Sequence, residues 1–346
     1  MRNLSGRTTV RQLIVGAAIA AAAVIGTAVS AATLDNIKQR GFLVCGVHLG
    51  LPGFGFPDKN GVYQGLDADF CRGLAAAIFN NPAKVQFTPT TSANRFLVVQ
   101  SGEVVVLARN ATYTITRDTT LGLNFPAINF FDGQGFLVKK SLNVSSVKQL
   151  DAASICVAQG TTTEQNVADY FRANNLKYQV VTFATTEEAS KAMEVGRCDS
   201  FTTDASGLAG ERLKYANPDE FVILPEIISK EPLGPVVRHG DEQWTDIVRW
   251  THYAMLNAEE YGVTQANVDG MLQSKSPEIR RLLGAEGKFG EALGLTNDWA
   301  YRVIKHVGNY GEGYERHIGE GSPLKIKRGL NGLWTRGGLQ YAYPIR

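Results

Sequence analysis

The stretch EVVVLARNATYTITRD, residues 103–118, joins two kinds of sequence. Glu103 to Arg109 contains the apolar run Val104–Val105–Val106–Leu107, which reads as a buried strand. From Asn110 onward hydroxyls alternate with apolar residues, and Arg117 comes near the end. Alternation alone fits a half-buried strand, which needs no arginine. The sharper reading is a polar cradle for an anion directly after the strand, with the Arg117 guanidinium as its fork. The blander one makes Arg117 a surface residue paired with Asp118. Open α/β sheets hold ligands at the carboxyl ends of their strands, so the neighbouring elements decide between them.

Upstream, Leu34–Arg40 reads as a short helical lead, Phe42–Leu49 as a strand and Pro52–Gly61 as a turn-rich loop. Asp69–Phe79 has helical spacing and stops at Asn80-Asn81-Pro82; residues 83–90 read as a strand and Ser92–Gly102 as a helix. Strand, helix, strand, helix, strand is the signature of a mostly parallel sheet. The grammar then repeats: strands at 154–160, 178–184 and 198–204, with helices at 163–175 and 185–197 between them. Residues 130–140 read as the crossing into this second unit and 228–241 as the return. Helices from Glu242 onward complete the first unit, and the Gly- and aromatic-rich tail from about Gly308 packs on its surface. The expected fold class is α/β, two such units with a small-ligand cleft between their facing edges.

Residues 1–32 stand apart. Arg2, Arg7 and Arg11 precede the apolar run Leu13–Val29, which ends in Ser30-Ala31-Ala32. This three-part pattern predicts an export signal cleaved near residue 32; a retained anchor is the alternative, but the run is short of the roughly 20 residues a spanning helix needs. Cleavage leaves 314 of the 346 residues, a length that suits two domains. It also removes three arginines, leaving 32 basic against 33 acidic residues. A nearly neutral chain argues against nucleic acid as a partner.

The four cysteines, Cys45, Cys71, Cys156 and Cys198, form no C-x-x-C pair, which argues against a zinc or redox motif. In an oxidising compartment disulfides persist. Of the three possible pairings, Cys45–Cys71 with Cys156–Cys198 is preferred because each closes a loop inside one proposed unit; four buried thiols are the alternative. No GxSxG, HExxH or P-loop occurs, and the five histidines are scattered, so neither catalysis nor a metal or other cofactor is expected.

Several segments together resemble one family. GLPGFGFPD, GLDADFCRGLAAAIF, RNATYTITRDTTLGLNF, FFDGQGFLVKK, CVAQGTTTEQN, GRCDSFTTD and LPEIISKEPLGPVVRHGD are similar, in order over roughly residues 34–300, to the periplasmic solute-binding proteins of polar amino acid ABC importers. The general L-amino-acid-binding subfamily (solute-binding protein family 3) is the nearest. The resemblance implies a two-lobed Venus flytrap with a two-stranded hinge. Lobe 1 would be 33–135 plus 231–346 and lobe 2 would be 136–230. It also implies a monomer that holds a free L-amino acid and passes it to an inner-membrane permease. Val105 and Ala108 stand where such proteins usually carry an aspartate and a serine.

The resemblance places the carboxylate-gripping arginine on Arg117, hydroxyl donors to that carboxylate on Thr112 and Thr162, and backbone contacts on Asn110. Thr161 and Thr163 flank the second-lobe donor, Asp204 holds the ammonium, and Leu51 and Phe54 form the wall. His48 would line the pocket. The chemistry is consistent: a planar guanidinium pairs two N–H groups with a carboxylate, and an unpaired buried charge is costly. Blander roles exist for each. Thr161 to Glu164 fits a capping box, Asp204 could cap the helix after it, Thr112 could be an ordinary strand threonine, and Phe54 could be core. An enzyme on the same scaffold, dehydratase-like or lyase-associated, and a ligand-sensing module are the alternatives to a transport role.

Overall fold

The computed structural model describes residues 32–346. The expected signal segment therefore lies, except for Ala32, outside the described residues.

Two main sheets form among the described residues, as the repeated grammar predicts, beside a small pairing of Phe56–Pro57 with Tyr63–Gln64. In the first, Leu43–His48 lies parallel to both Val85–Thr90 and Val106–Thr112. The returning strand Glu231–Arg238 adds antiparallel to Val106–Thr112 and also pairs with Phe130–Asp132. In the second, Ala153–Ala158 lies parallel to Tyr178–Phe183 and Ser200–Asp204. Gln134–Lys139 joins antiparallel to Ser200–Asp204, and Phe221–Ile223 forms the edge.

Residues 103–118 form a strand followed by a short helical turn. The expected strand at 103–109 is displaced to Val106–Thr112, so it takes in the first half of the cradle. The cause is tertiary: Leu233 pairs with Thr112 and Gly234 with Ala111, a ladder supplied from about 120 residues away in sequence. Arg117 follows in a single helical turn, Thr116–Thr120. The helix expected over Ser92–Gly102 is confined to Arg95–Gln100. Thr91 donates through both its backbone N–H (2.8 Å) and its hydroxyl (3.0 Å) to Asn94 Oδ1, so a local turn competes with the helix start.

Two chain crossings join the sheets. Phe130–Asp132 belongs to the first sheet and Gln134–Lys139 to the second, with Gly133 between them. Any other residue at 133 would place its Cβ 2.2 Å from Ile227 Cγ2 and 2.8 Å from the Ser229 carbonyl, so glycine is required where the two crossings pass. On the return, Glu231 sits directly opposite Asp132.

Each sheet has its own apolar core and its own disulfide. Leu66–Phe79, Glu242–Glu260 and Trp299–Val307 pack on the first sheet, burying Phe70, Leu74, Trp244, Ile247, Val303 and Ile304. Leu137, Met193, Phe201, Leu208 and Phe221 fill the second. Cys45 bonds Cys71 and Cys156 bonds Cys198, the preferred pairing.

The tail is ordered and clamps the first crossing. Tyr310 and Tyr314 are buried, and Arg328 lies over both rings. Asn331 accepts from the Phe131 backbone N–H at 2.7 Å and donates to its carbonyl at 3.0 Å, satisfying a strand edge that would otherwise be open.

Candidate functional site

The carboxyl ends of the strands in both sheets converge on one polar cavity of ≈ 20 Å³, where a single water needs roughly 10–15 Å³. Of the residues expected to form the site, His48, Leu51, Asn110, Thr112, Thr161, Thr162, Thr163 and Asp204 all line it. They come from both sheets, so ends far apart in sequence meet at one place.

Asp204 ends its strand at the N-cap position of the helix Ala205–Arg212, yet its side chain makes no capping bond. Its Oδ2 instead accepts from Asn110 Nδ2 at 3.4 Å, across the cavity. Asn110 adopts φ 30° and its backbone N–H donates to the buried Asp67 carboxylate, which fixes the strand end. Burial pushes the Asp204 carboxyl well above the ordinary aspartate range; the nearby Asp132 and Glu231 carboxylates push the same way, while Arg95 and Asn110 oppose them. Burial thus favours the neutral, protonated carboxyl, and a cation placed beside it would draw it toward the ionised form.

The capping box expected at Thr161–Glu164 forms only in half: the Thr161 hydroxyl accepts the Glu164 backbone N–H at 3.2 Å, while the Glu164 carboxylate accepts the Gly160 N–H at 3.0 Å. A capped helix start beside a cavity is also favourable for negative charge.

Arg117 is buried and forms no pair with Asp118, which bonds Tyr113 and His239 instead. Its Nη1 donates to the Thr112 carbonyl at 2.7 Å and its Cζ lies 4.8 Å from the Phe96 ring centre. The guanidinium thus stands one layer behind Thr112 and does not itself line the cavity. Burial lowers its pKa to about 10, and the Glu231 and Asp204 carboxylates act to raise it, so all three groups share one electrostatic neighbourhood. Phe54 is also set back: it is 1% exposed and packs edge-on against Phe130 at 5.1 Å, a core role.

Four features escaped the sequence reading. Arg95 lines the cavity, is buried, and its Nε has no hydrogen-bond partner; its Cζ lies 4.8 Å from the same Phe96 ring. Arg109 also lines it, with Nε donating to the Thr90 carbonyl at 3.1 Å and Nη2 to Ser92 Oγ at 3.2 Å. For Arg109 the available signal was placement, since it follows an apolar strand run; Arg95 opens a helix and carried no such mark. The third is Glu231, 1% exposed, whose carboxylate accepts from Thr112 Oγ1 (2.6 Å), Thr162 Oγ1 (2.9 Å), Asn166 Nδ2 (2.7 Å) and Ser229 Oγ (2.6 Å). No local pattern marks it.

The fourth is Glu187, whose Oε1 lies 3.4 Å from His48 Nδ1. That nitrogen already accepts the Gly50 N–H at 3.0 Å. An accepting nitrogen has no proton to share, so this is no ion pair while the imidazole is neutral. Burial keeps it neutral by holding its pKa well below the usual value, and Arg109, Lys214 and Arg95 add to the effect.

The comparison with known proteins adds the decisive observation. Residues 43–267 match the family model for bacterial extracellular solute-binding proteins, family 3. The chain belongs to that family. This solute-binding protein is 58% identical to the general L-amino acid-binding periplasmic protein AapJ of Rhizobium johnstonii, over 96% of this chain and 99% of the relative. It is 55% identical to the glutamate/glutamine/aspartate/asparagine-binding protein BztA of Rhodobacter capsulatus, over 95% and 97%. Among solved structures, an ABC transporter/periplasmic binding protein from Brucella ovis with glutathione bound superposes with a TM-score of 0.90. It shares 58% identity and covers 91% of this chain and 100% of its own. The solute-binding protein thus has the two-lobed α/β architecture, and these relatives are binding components rather than enzymes. Among its described residues no helix is long and apolar enough to cross a membrane.

Proposed function

We propose that the chain is the periplasmic binding component of an ABC importer for free L-amino acids, captured one at a time between a lobe built on the first sheet and a lobe built on the second. The carrying observation is the cavity itself: a buried carboxylate, Asp204, faces it from the second sheet, and the buried arginines Arg95 and Arg109 line it from the first unit. That is the complement of a zwitterion. Asp204 takes the ammonium. Arg117, with the helix start at Thr161–Thr163, takes the carboxylate once the lobes part to admit it. Leu51 and His48 form the wall. The unpaired Arg95 Nε is left for a polar group on the ligand's side chain, because an unmet buried donor costs about 1–3 kcal/mol.

Export through a cleaved leader, a monomeric state and delivery to a permease complete the reading. They rest on the sequence and on the relatives' roles. The names of AapJ and BztA support breadth among amino acids. Glutathione in the Brucella relative fits the same logic, since its γ-glutamyl end keeps a free α-carboxylate and α-ammonium.

The test is calorimetric titration of the mature protein with a panel of L-amino acids and glutathione, with product analysis afterwards. Saturable binding of several L-amino acids, each recovered intact, is expected. Silence toward the whole panel, or conversion of any ligand, overturns the proposal.

A further inference from the structure

The oxygen chemistry of Thr112 and Thr162 depends on a residue that never needs to touch the ligand. A hydroxyl has one proton and two lone pairs. Thr112 Oγ1 gives its proton to Glu231 Oε2 at 2.6 Å and Thr162 Oγ1 gives its own to the same oxygen at 2.9 Å. Glu231 is held in turn at Oε1 by Asn166 Nδ2 (2.7 Å) and Ser229 Oγ (2.6 Å), so the carboxylate is fully engaged. It lies on the return strand, opposite Asp132, at the crossing between the sheets. The two threonines come one from each sheet unit and stand 3.4 Å apart, both lining the cavity.

We propose that Glu231 is the positioning residue that polarises this cavity, turning Thr112 and Thr162 from hydrogen-bond donors into acceptors. With both protons drawn to Glu231, the threonine oxygens offer only lone pairs to a ligand. They therefore select its N–H groups and join Asp204 in holding the ammonium. The carboxylate is left to the guanidinium and backbone N–H donors. The proposal rests on the reading of this cavity as the amino acid site.

The experiment is a double-mutant cycle on the mature protein, read as the dissociation constant for the tightest-binding L-amino acid, with thermal unfolding recorded for every variant. Glu231→Ala frees both protons to face the ligand's ammonium and should weaken binding at least about tenfold. Thr112→Val should cost a similar factor. The double variant should be little worse than either single one, because the threonine acts through Glu231. Glu231→Gln keeps an oxygen that accepts two protons and should restore affinity to within about threefold of wild type. That rescue separates polarity from mere packing. Wild-type affinity in Glu231→Ala, losses that multiply in the double variant, or a Gln variant as weak as Ala would each overturn the proposal. If the wild-type protein itself bound no amino acid, the site assignment would fail first. A Glu231→Ala chain that does not fold leaves Glu231→Gln against Thr112→Val to decide in the same way.

Discussion

Asn110 Nδ2 donates to Asp204 Oδ2 at 3.4 Å, joining the end of a strand in one sheet to the end of a strand in the other. The contact is long and neutral on one side. An ammonium placed there would form a charge-assisted bond of shorter length and about twice the strength. Asp204→Ala is therefore expected to weaken amino acid binding at least about tenfold, roughly 1.4 kcal/mol, while the melting temperature without ligand stays the same or rises. Calorimetry and a thermal melt check both halves; unchanged affinity would remove Asp204 from the site.

The arginines separate by the same measurement. Arg117 is paired with the Thr112 carbonyl, whereas the Arg95 Nε is buried and unpaired. Removing a buried charge whose Nε lacks a hydrogen-bond partner relieves its desolvation cost. Arg95→Met should raise the melting temperature of the ligand-free protein and weaken binding of amino acids with polar side chains more than that of alanine. Arg117→Ala should weaken all of them by about tenfold or more. Equal effects across the panel for Arg95→Met would show that it does not read the side chain.

Binding should depend on pH with a fixed sign. The Asp204 pKa is raised in the free protein, chiefly by burial, and a bound ammonium favours its ionised form. Ligand binding is then linked to proton release, so affinity falls as pH drops through the raised value. Calorimetric enthalpies in buffers of different ionisation heat, measured across a pH series, report the released proton; zero release at every pH would contradict the assignment.

Asp67 tests the same physics in stability. Burial raises its pKa from 3.8 to about 6. A carboxyl whose folded pKa lies above its unfolded one binds more protons when folded. It therefore favours the fold at low pH, and that contribution is lost as pH rises from about 4 through 6. Asp67→Asn should flatten the stability–pH curve in this window. An unaltered slope in denaturant unfolding would show that Asp67 does not titrate there.

The disulfides should stabilise without taking part in recognition. Cys45 and Cys71 are 26 residues apart in sequence and Cys156 and Cys198 are 42 apart. Loops of this length predict roughly 3–4 kcal/mol per bond. Replacing Cys156 and Cys198 together with alanine should lower unfolding stability by that order and leave the dissociation constant within about twofold. A large loss of affinity in a folded variant would argue instead that the bond shapes the cleft.

How much of this could be read from the chain follows from range. The alternation of strands and helices, the cap at Thr161 and the two cysteine pairings depend on neighbours within a few dozen residues, and each stood as expected. Boundaries slipped where a distant partner intervened, as when the return strand extended Val106–Thr112 into the cradle. Phe54 and Arg117 illustrate the same limit, because which residue faces a cavity and which stands a layer behind it is set by packing.

Sequence alone determined the α/β grammar, the polar strand ends and the family, since these are written in local periodicity and in the order of motifs. Tertiary structure alone decided where the protons go. Thr112 and Glu231 are 119 residues apart and Thr162 and Glu231 are 69 apart. A hydroxyl's choice between giving and accepting depends on what lies within about 3 Å of it, and only the folded chain brings that carboxylate into reach.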